Sequence, residues 1–477
     1  MNNRFYKIGL PVALLACVAF GLYLALFRPG YVNRVDFLAA VIFLQVLVAV
    51  LWKFEQRFFP FLMLIFLWAG SVLPLSGVWT SARWVVLGAG AVSGCILYLK
   101  NRHHSLGAFH LVAGFCVFAG LVSAMASSDP TVALLKTSSL FLLFLYGASG
   151  ARLAVMGREA KFFSGLLFGC ELLVYACALS YFVLRFQCFG NPNSLGAIMG
   201  VFGVPMMLWG MLISDKVQIR RRRMFTLLLA VVLLLSSYAR AGIVGAAVAF
   251  VLVCAGLRQY RLLIKGFAFA LLCAVAVVTL VPLETAEPGS VVSAFLYKGK
   301  GEAGVLESRR SVWDQTFASI QEHPWFGTGF GTSATDYDQN QVDSGGRFQS
   351  AASSTREHGN SYLAISEWVG LLGVLPFFTL VLLTARNVAR GAAWIRRTGD
   401  VTSPVVPLTG ILAAGLIHAG FEDWLFAVGY YLCVFFWISA FLIIDLLPAT
   451  APAPEVLGVA GGPTPWSDRF GVIHPGR

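Results

Sequence analysis

The chain is poor in charge. Of its 477 residues only 12% are Asp, Glu, Lys or Arg, while 58% are hydrophobic and the mean hydropathy is +0.76. An ordinary soluble domain carries about 25% charged residues. The shortfall excludes a soluble multidomain enzyme, and the apolar excess excludes a chain disordered throughout. Acidic residues are the scarcer sign, 23 against 35 Lys and Arg, for a net charge of +12. The nine cysteines include no C-x-x-C pair and lie in or beside apolar runs. They read as buried free thiols, with no metal site or disulfide framework. The first apolar run, Ile8 to Phe27, ends in Phe27-Arg28-Pro29 and not in a small-x-small cleavage site, so it reads as a retained helix. No internal repeat is visible, which weakens an inverted-repeat transporter reading.

What is present is a succession of apolar runs. About 20 residues cross a hydrocarbon core, and on that measure the runs give about 12–14 spans. The expected fold is all-α, a polytopic transmembrane helical bundle with one long outer loop. With the N-terminus in the cytoplasm, most basic residues fall on the cytoplasmic side, among them Lys53, Arg57, Arg152, Arg158, Lys161, the run Arg220 to Arg223, Arg386 and Arg390. Both termini are then cytoplasmic, and the positive charge is an orientation signal with no nucleic-acid partner implied. Five segments are expected: N-terminal transmembrane helices over 1–184, central helices over 185–282 with Asn and Arg at their outer ends, a long outer loop over 283–359, C-terminal transmembrane helices over 360–447, and a disordered cytoplasmic tail over 448–477. The tail is assigned on its Pro, Gly and Ala content. Within the loop, Ser311 to His323 places Val312, Trp313, Phe317 and Ile320 at helical spacing before Pro324. Loops of this length usually carry function or are disordered.

Ionisable groups at the ends of membrane spans are costly, and here they gather on one face. Arg185 and Asn191-Pro192-Asn193 separate two spans. Arg240 sits in a tight reversal, Ser236 to Gly242. Arg309 and Arg310 open the loop helix, His358 and Asn360 stand where the loop re-enters the membrane, and Glu422-Asp423 caps the last outer turn. Arginine forks suit a lipid-linked pyrophosphate, whose developing charge they stabilise as it leaves. A histidine titrating near neutrality can deprotonate an acceptor hydroxyl. Asn side chains and the faces of Trp313 and Trp325 suit sugars. Plainer roles stand beside these: Arg240 as a snorkelling anchor, Arg309 and Arg310 as a solvated helix start, and His358 as a satisfied loop histidine. Asn191 and Asn193 suit a turn, Glu422 and Asp423 an interfacial polar pair, and the tryptophans a membrane belt.

Three blocks give these residues a family context. They are Ser237-Tyr238-Ala239-Arg240-Ala241-Gly242, Arg310-Ser311-Val312-Trp313 continuing to Pro324-Trp325-Phe326-Gly327 and Gly329, and His358-Gly359-Asn360-Ser361-Tyr362-Leu363 with Glu367 and Gly370 to Gly373. In that order, with the long loop between the first and the last, they resemble the O-antigen ligase/polymerase superfamily of bacterial membrane glycosyltransferases. The resemblance covers roughly 185–385, and residues 1–180 share only hydropathy.

The resemblance implies a C-type glycosyltransferase fold in the bacterial inner membrane, with a periplasmic active site. It also implies inverting transfer from undecaprenyl-pyrophosphate-linked glycan without metal or cofactor. Arg240 and Arg310 would hold the pyrophosphate and His358 would activate the acceptor, with Arg309, Asn193, Arg185, Trp313, Trp325, Asn360 and Glu422 as substrate-binding candidates. Which of Arg309 and Arg310 fills the arginine role stays open, spacing to Trp313 favouring Arg310. The expected partners are the lipid-linked donor, a lipid A-core or lipid-linked glycan acceptor, and membrane lipid. Ligase and polymerase are not separated by one sequence. A flippase for the same lipid-linked glycan is the alternative, and a scaffold protein a third reading. A flippase should carry charges at mid-membrane depth in many helices, whereas these cluster at helix ends.

Overall fold

The structure is a computed structural model. It describes residues 35–100, 106–280, 307–333 and 358–447, with isolated positions between 15 and 30. Most of the first apolar run, the greater part of the long loop and the C-terminal tail lie outside the described residues. Among the described residues all regular structure is helical, so the expected all-α polytopic fold holds. Among the described residues six helices are long and apolar enough to cross a membrane, at 76–100, 108–126, 130–155, 159–183, 192–212 and 361–398, and Ala39–Trp52, Arg240–Gly256, Val405–Ala419 and Tyr431–Leu446 are shorter apolar helices. The larger count expected from the apolar runs included such short helices, which fall below spanning length by themselves.

The elements that position the site are α1 (Phe54–Ala69), α2 (Pro130–Ala148), α3 (Glu159–Ala178), α4 (Pro192–Ile198), α5 (Arg240–Gly256), α6 (Glu307–Glu322), α7 (Ser361–Thr398), α8 (Val405–Ala419) and α9 (Tyr431–Leu446). Their starts are written locally. Asp129 caps α2 by accepting from Val132 N, with Pro130 in the first turn, and Asn191 caps α4 ahead of Pro192. Both are side-chain acceptors for amides that the helix leaves unpaired. In the segment from α4 to Leu212, 94% of the apolar window is buried inside the protein, against 33–44% for the other five spans, so it is packed on all sides by other helices. It is interrupted by a π-helical turn, Met199–Gly203, where Gly200 meets Gly242 of α5 backbone to backbone. A Cβ on Gly200 would lie 2.4 Å from the Gly242 oxygen. Helices α5 and α8 run antiparallel, Gly245 facing Ala414 and Val253 facing Gly410. That register brings Arg240 level with the C-terminal end of α8, just before Glu422.

The long helix α7 is broken by design at Gly370, whose φ is +62° and ψ −175°. The break withdraws two helical hydrogen bonds, and the Pro324–Gly329 turn restores all four freed groups. Leu371 N donates to Pro324 O at 2.8 Å, and Leu372 N to Trp325 O at 3.2 Å. In return Thr328 N donates to Glu367 O at 3.0 Å, and Gly329 N to Trp368 O at 3.1 Å. Non-helical backbone at membrane depth is tolerated only when protein satisfies it in this way. The approach is possible because Gly327 and Gly370 lack side chains. A Cβ at Gly370 would lie 2.5 Å from Gly327 N, and one at Gly327 2.4 Å from Glu367 O. The turn is further anchored from below, where Ser127 Oγ donates to Thr328 O at 2.8 Å and Lys136 Nζ donates to Gly331 O.

Candidate active site at one end of the bundle

The α7 break fixes the level of Glu367 and Trp368, and the loop that precedes α7 folds down onto them. His358 is fully buried there. Its Nε2 lies 3.0 Å from Glu367 Oε2 and 3.1 Å from Ser333 Oγ. Its Nδ1 lies 3.2 Å from Asp423 Oδ2, and the same carboxylate oxygen accepts from His358 N at 2.8 Å. The ring stands edge-on to Trp368, with centroids 5.5 Å apart. Glu367 is fully buried too and accepts from Ser319 Oγ of α6 at 3.0 Å. A carboxylate buried this completely needs such partners, since isolation would cost several kcal/mol. With a carboxylate at each ring nitrogen, the imidazolium form satisfies both as donors. Burial opposes that charge, but the hydrogen bonds to Asp423 and then Glu367, with the charge of both, outweigh it and hold the His358 pKa above its ordinary 6.5. For Asp423 burial likewise opposes the charge, and the His358 ring and amide overcome it, holding the carboxyl below its ordinary 3.8.

A second ion pair adjoins the first. Arg309 Nη2 donates to Glu422 Oε1 at 2.6 Å, with both side chains about four-fifths buried. The Arg309 guanidinium lies over Gly359, where a Cβ would come within 2.5 Å of Nη1. Gly359 therefore has two reasons to be glycine, this contact and its φ of +62°. Ser361 ties the α7 start to the α8–α9 loop, donating to Glu422 O at 2.5 Å and accepting from Leu425 N at 3.1 Å. Three segments distant in sequence, the start of α6, the entry to α7 and the end of α8, thus form one charged cluster.

The other candidates take different places. Arg310 is exposed on α6, one position from Arg309 but turned out of the ion pair. Arg240 is half-buried at the start of α5, at the same end of the bundle as the cluster. Asn360 spends its side-chain oxygen capping α7, accepting from Tyr362 N at 2.8 Å and Leu363 N at 3.3 Å. Asn193 is half-buried in the first turn of α4, its amide held by Asn191 Oδ1 at 2.8 Å. Arg185 is exposed with φ +55°, and among the described residues no ion pair joins it to the cluster. Trp313 is half-buried on α6 with its Nε1 inside, whereas Trp325 is 60% exposed beside Phe326.

Asp423 and Glu367, which hold the histidine, were not singled out as site residues from the sequence. The signal was there in each case: Asp423 adjoins Glu422, and Glu367 is a lone carboxylate in an apolar run. Arg83 was missed as well. It reaches the loop before α9, where Nη1 donates to Gly429 O at 2.6 Å. Among the described residues no group of three or more His, Cys, Asp and Glu is placed to hold a metal ion.

The fold and the cluster define a helical membrane protein with a charged, histidine-centred site at one end of its bundle. Residues 225–378 match the family model described as O-antigen ligase. The match supports the resemblance to the O-antigen ligase/polymerase superfamily over this stretch. The match takes in Arg240, the loop helix and turn, His358, Glu367 and Gly370, and it ends before Glu422 and Asp423. No curated protein matches the chain. A match of this kind supports a membrane glycosyltransferase of the O-antigen ligase type.

Proposed function

We propose that the protein is an inverting, metal-independent glycosyltransferase. It moves an undecaprenyl-pyrophosphate-linked glycan onto an acceptor sugar hydroxyl at the periplasmic face of the inner membrane, as an O-antigen ligase or an O-antigen or exopolysaccharide polymerase. The observation that carries this reading is the cluster of Arg309, Glu422, Asp423 and His358, whose Arg309 and His358 fall in the stretch that matches the O-antigen ligase model.

On this reading the two arginine neighbours divide their work. Arg309 is occupied by Glu422 and shapes the site, while exposed Arg310 and half-buried Arg240 meet the donor pyrophosphate. The acceptor oxygen attacks the anomeric carbon, the bond to pyrophosphate breaks, and undecaprenyl pyrophosphate leaves against those guanidinium groups. The acceptor proton passes to Asp423. This carboxylate is 25% exposed, whereas the His358 ring behind it has no exposed edge. Carboxylates are the ordinary bases of inverting glycosyl chemistry, and His358 orients this one.

The reading is tested by incubating the purified protein with lipid-linked oligosaccharide, with and without lipid A-core. A single capped product that requires the core is the result for a ligase, and a ladder without it the result for a polymerase. No glycosyl transfer in either arm overturns the proposal.

A further inference from the structure

At the end of the bundle away from His358, helices α1 and α3 touch and then part. They meet where the Phe59 and Phe162 rings touch at a tilt of 50°, with centroids 5.0 Å apart, and where Arg158 Nη2 donates to Glu55 Oε2 at 2.6 Å. Above that contact lies a cavity of about 610 Å³, within the range of about 300–1,000 Å³ typical of ligand sites. Its walls are Phe59, Met63 and Leu67 of α1 and Phe162, Leu166 and Leu173 of α3, each row at helical spacing. Ile198, Phe202 and Phe435 close the back. Gly165 and Gly169 lie along the same face of α3, and a Cβ on either would meet nothing within 4 Å, so α3 presents an open track there. The lining runs on to Ser71 beyond α1 and Cys177 of α3, and its part from Phe59 to Trp68 rises about 14 Å at 1.5 Å per residue, close to the hydrocarbon depth of one leaflet, about half of 30 Å.

The polar residues sit at the mouth. Arg158 and Lys161 line it together with Glu55 and Gln56. Arg158 stands at the N-cap position of α3, and while Glu55 takes its Nη2, its Nη1 is buried without a hydrogen-bond partner. Lys161 is exposed one turn along, and Lys53 and Arg57 are exposed on the facing first turn of α1. Glu55 and Glu159 are the acidic groups nearby, Glu159 facing back toward Gly157 N at 3.2 Å. The balance is four cations to two anions, at one end of an apolar slot deep enough for an acyl chain. A buried guanidinium nitrogen with no acceptor is left wanting an anion.

We propose that this groove is a binding site for an anionic phospholipid of the leaflet opposite the His358 end. Its phosphate meets Arg158 Nη1 and Lys161, and one acyl chain runs between α1 and α3 over Gly165 and Gly169. The site lies at the far end of the bundle from the cluster and does not rest on the reaction proposed there.

The test is native mass spectrometry of the full-length protein, released from detergent after exchange against phosphatidylglycerol or phosphatidylcholine. The wild type is expected to retain phosphatidylglycerol over phosphatidylcholine by about fivefold or more, the preference given by a juxtamembrane cation at about 1 kcal/mol each. Arg158→Gln with Lys161→Gln brings the two lipids to parity, and Gly169→Leu, which fills the track, lowers retention of both. Should Gly169→Leu fail to fold, the double variant decides alone, since Lys161 is exposed and Arg158 partly so. Equal retention of the two lipids by the wild type overturns the proposal. So does a preference unchanged in the double variant, or retention of undecaprenyl phosphate in place of phosphatidylglycerol, which would give the groove to the donor's chain.

Discussion

At the scale of single residues, the site is governed by who holds His358. Its two nitrogens face Glu367 and Asp423, and each carboxylate depends on the ring for part of its own solvation. Removing one partner strands the others, so Asp423→Asn is expected to cost about 1.5–3 kcal/mol, the worth of a hydrogen bond to a charged group. The cost is to be read as a lower unfolding temperature together with lost transfer. Because folding raises the His358 pKa above 6.5, its contribution is complete below that value and is lost as pH rises through the raised one. Because folding lowers the Asp423 pKa below 3.8, its contribution is complete above that value and is lost as pH falls through the lowered one. The stability gap between wild type and His358→Gln is therefore expected to be widest between about pH 4 and 6.5 and to narrow in alkali, in parallel melting curves. A gap that fails to narrow as pH rises from 6.5 into alkali would remove the imidazolium from the account.

The two arginines make a second contrast at the same scale. Arg309 is tied to Glu422, and Arg310 is exposed. Exchanging the charges of the first pair, Arg309→Glu with Glu422→Arg, is expected to restore part of the folded yield that either single change loses. Arg310→Ala is expected to leave yield and melting temperature within about 0.5 kcal/mol of wild type, as surface changes usually do, and to abolish transfer. Full transfer by Arg310→Ala would move the phosphate-binding role elsewhere. The sequence put both arginines at the head of the loop helix but did not separate them, because one residue along a helix turns the side chain by about 100° and only the packed partner Glu422 fixes which one points inward.

At the scale of elements, the decisive joint is the exchange of four hydrogen bonds between the α7 break and the Pro324–Gly329 turn. It explains why the glycines of two separate motifs belong together. Gly327 and Gly370 are each other's steric condition, and both have positive φ. Neither relation is visible along the chain, where Gly370 looks like one more glycine in an apolar helix. Gly370→Ala meets both obstacles, with Cβ 2.6 Å from Trp325 O. It is expected to destabilise by about 2–4 kcal/mol, the range of a strained left-handed residue combined with overpacking. Ala substituted at Gly165, where nothing lies within 4 Å, serves as the control and should leave the melting temperature near wild type. Since Glu367 lies three residues before the break, the Gly370→Ala damage should also reach His358 and appear as lost activity in whatever fraction still folds.

At the scale of the whole molecule, much of the architecture was readable in advance, and for physical reasons. Hydropathy gives helices because a spanning segment must satisfy its own backbone. The gathering of charge at helix ends gives a common face for Arg240, Arg309, His358 and Glu422, since charges in mid-span are expensive. Interior charge contacts were not readable. Arg222 and Arg223, taken from the sequence as part of a topology anchor, also close on buried Glu171, at 3.0 and 3.1 Å. Arg152 makes a fork with Asp445 at 2.6 Å, again at the end away from His358. These pairs depend on which helices become neighbours, and hydropathy is silent on that. They also strengthen the sidedness of the bundle, one end carrying the basic clusters with their buried carboxylates and the other the His358 cluster. By the positive-inside rule the His358 end is expected to be the periplasmic one, which a labelling experiment can check. With native Cys95 and Cys188, the partly exposed ones among the described thiols, replaced by Ser, a cysteine at exposed Ser311 beside the cluster should react with a membrane-impermeant maleimide in intact cells. A cysteine at exposed Arg397 should react only after permeabilisation. The opposite pattern would place the cluster in the cytoplasm, where a glycan already carried across the membrane on its lipid could not reach it, and the proposed transfer would have no donor.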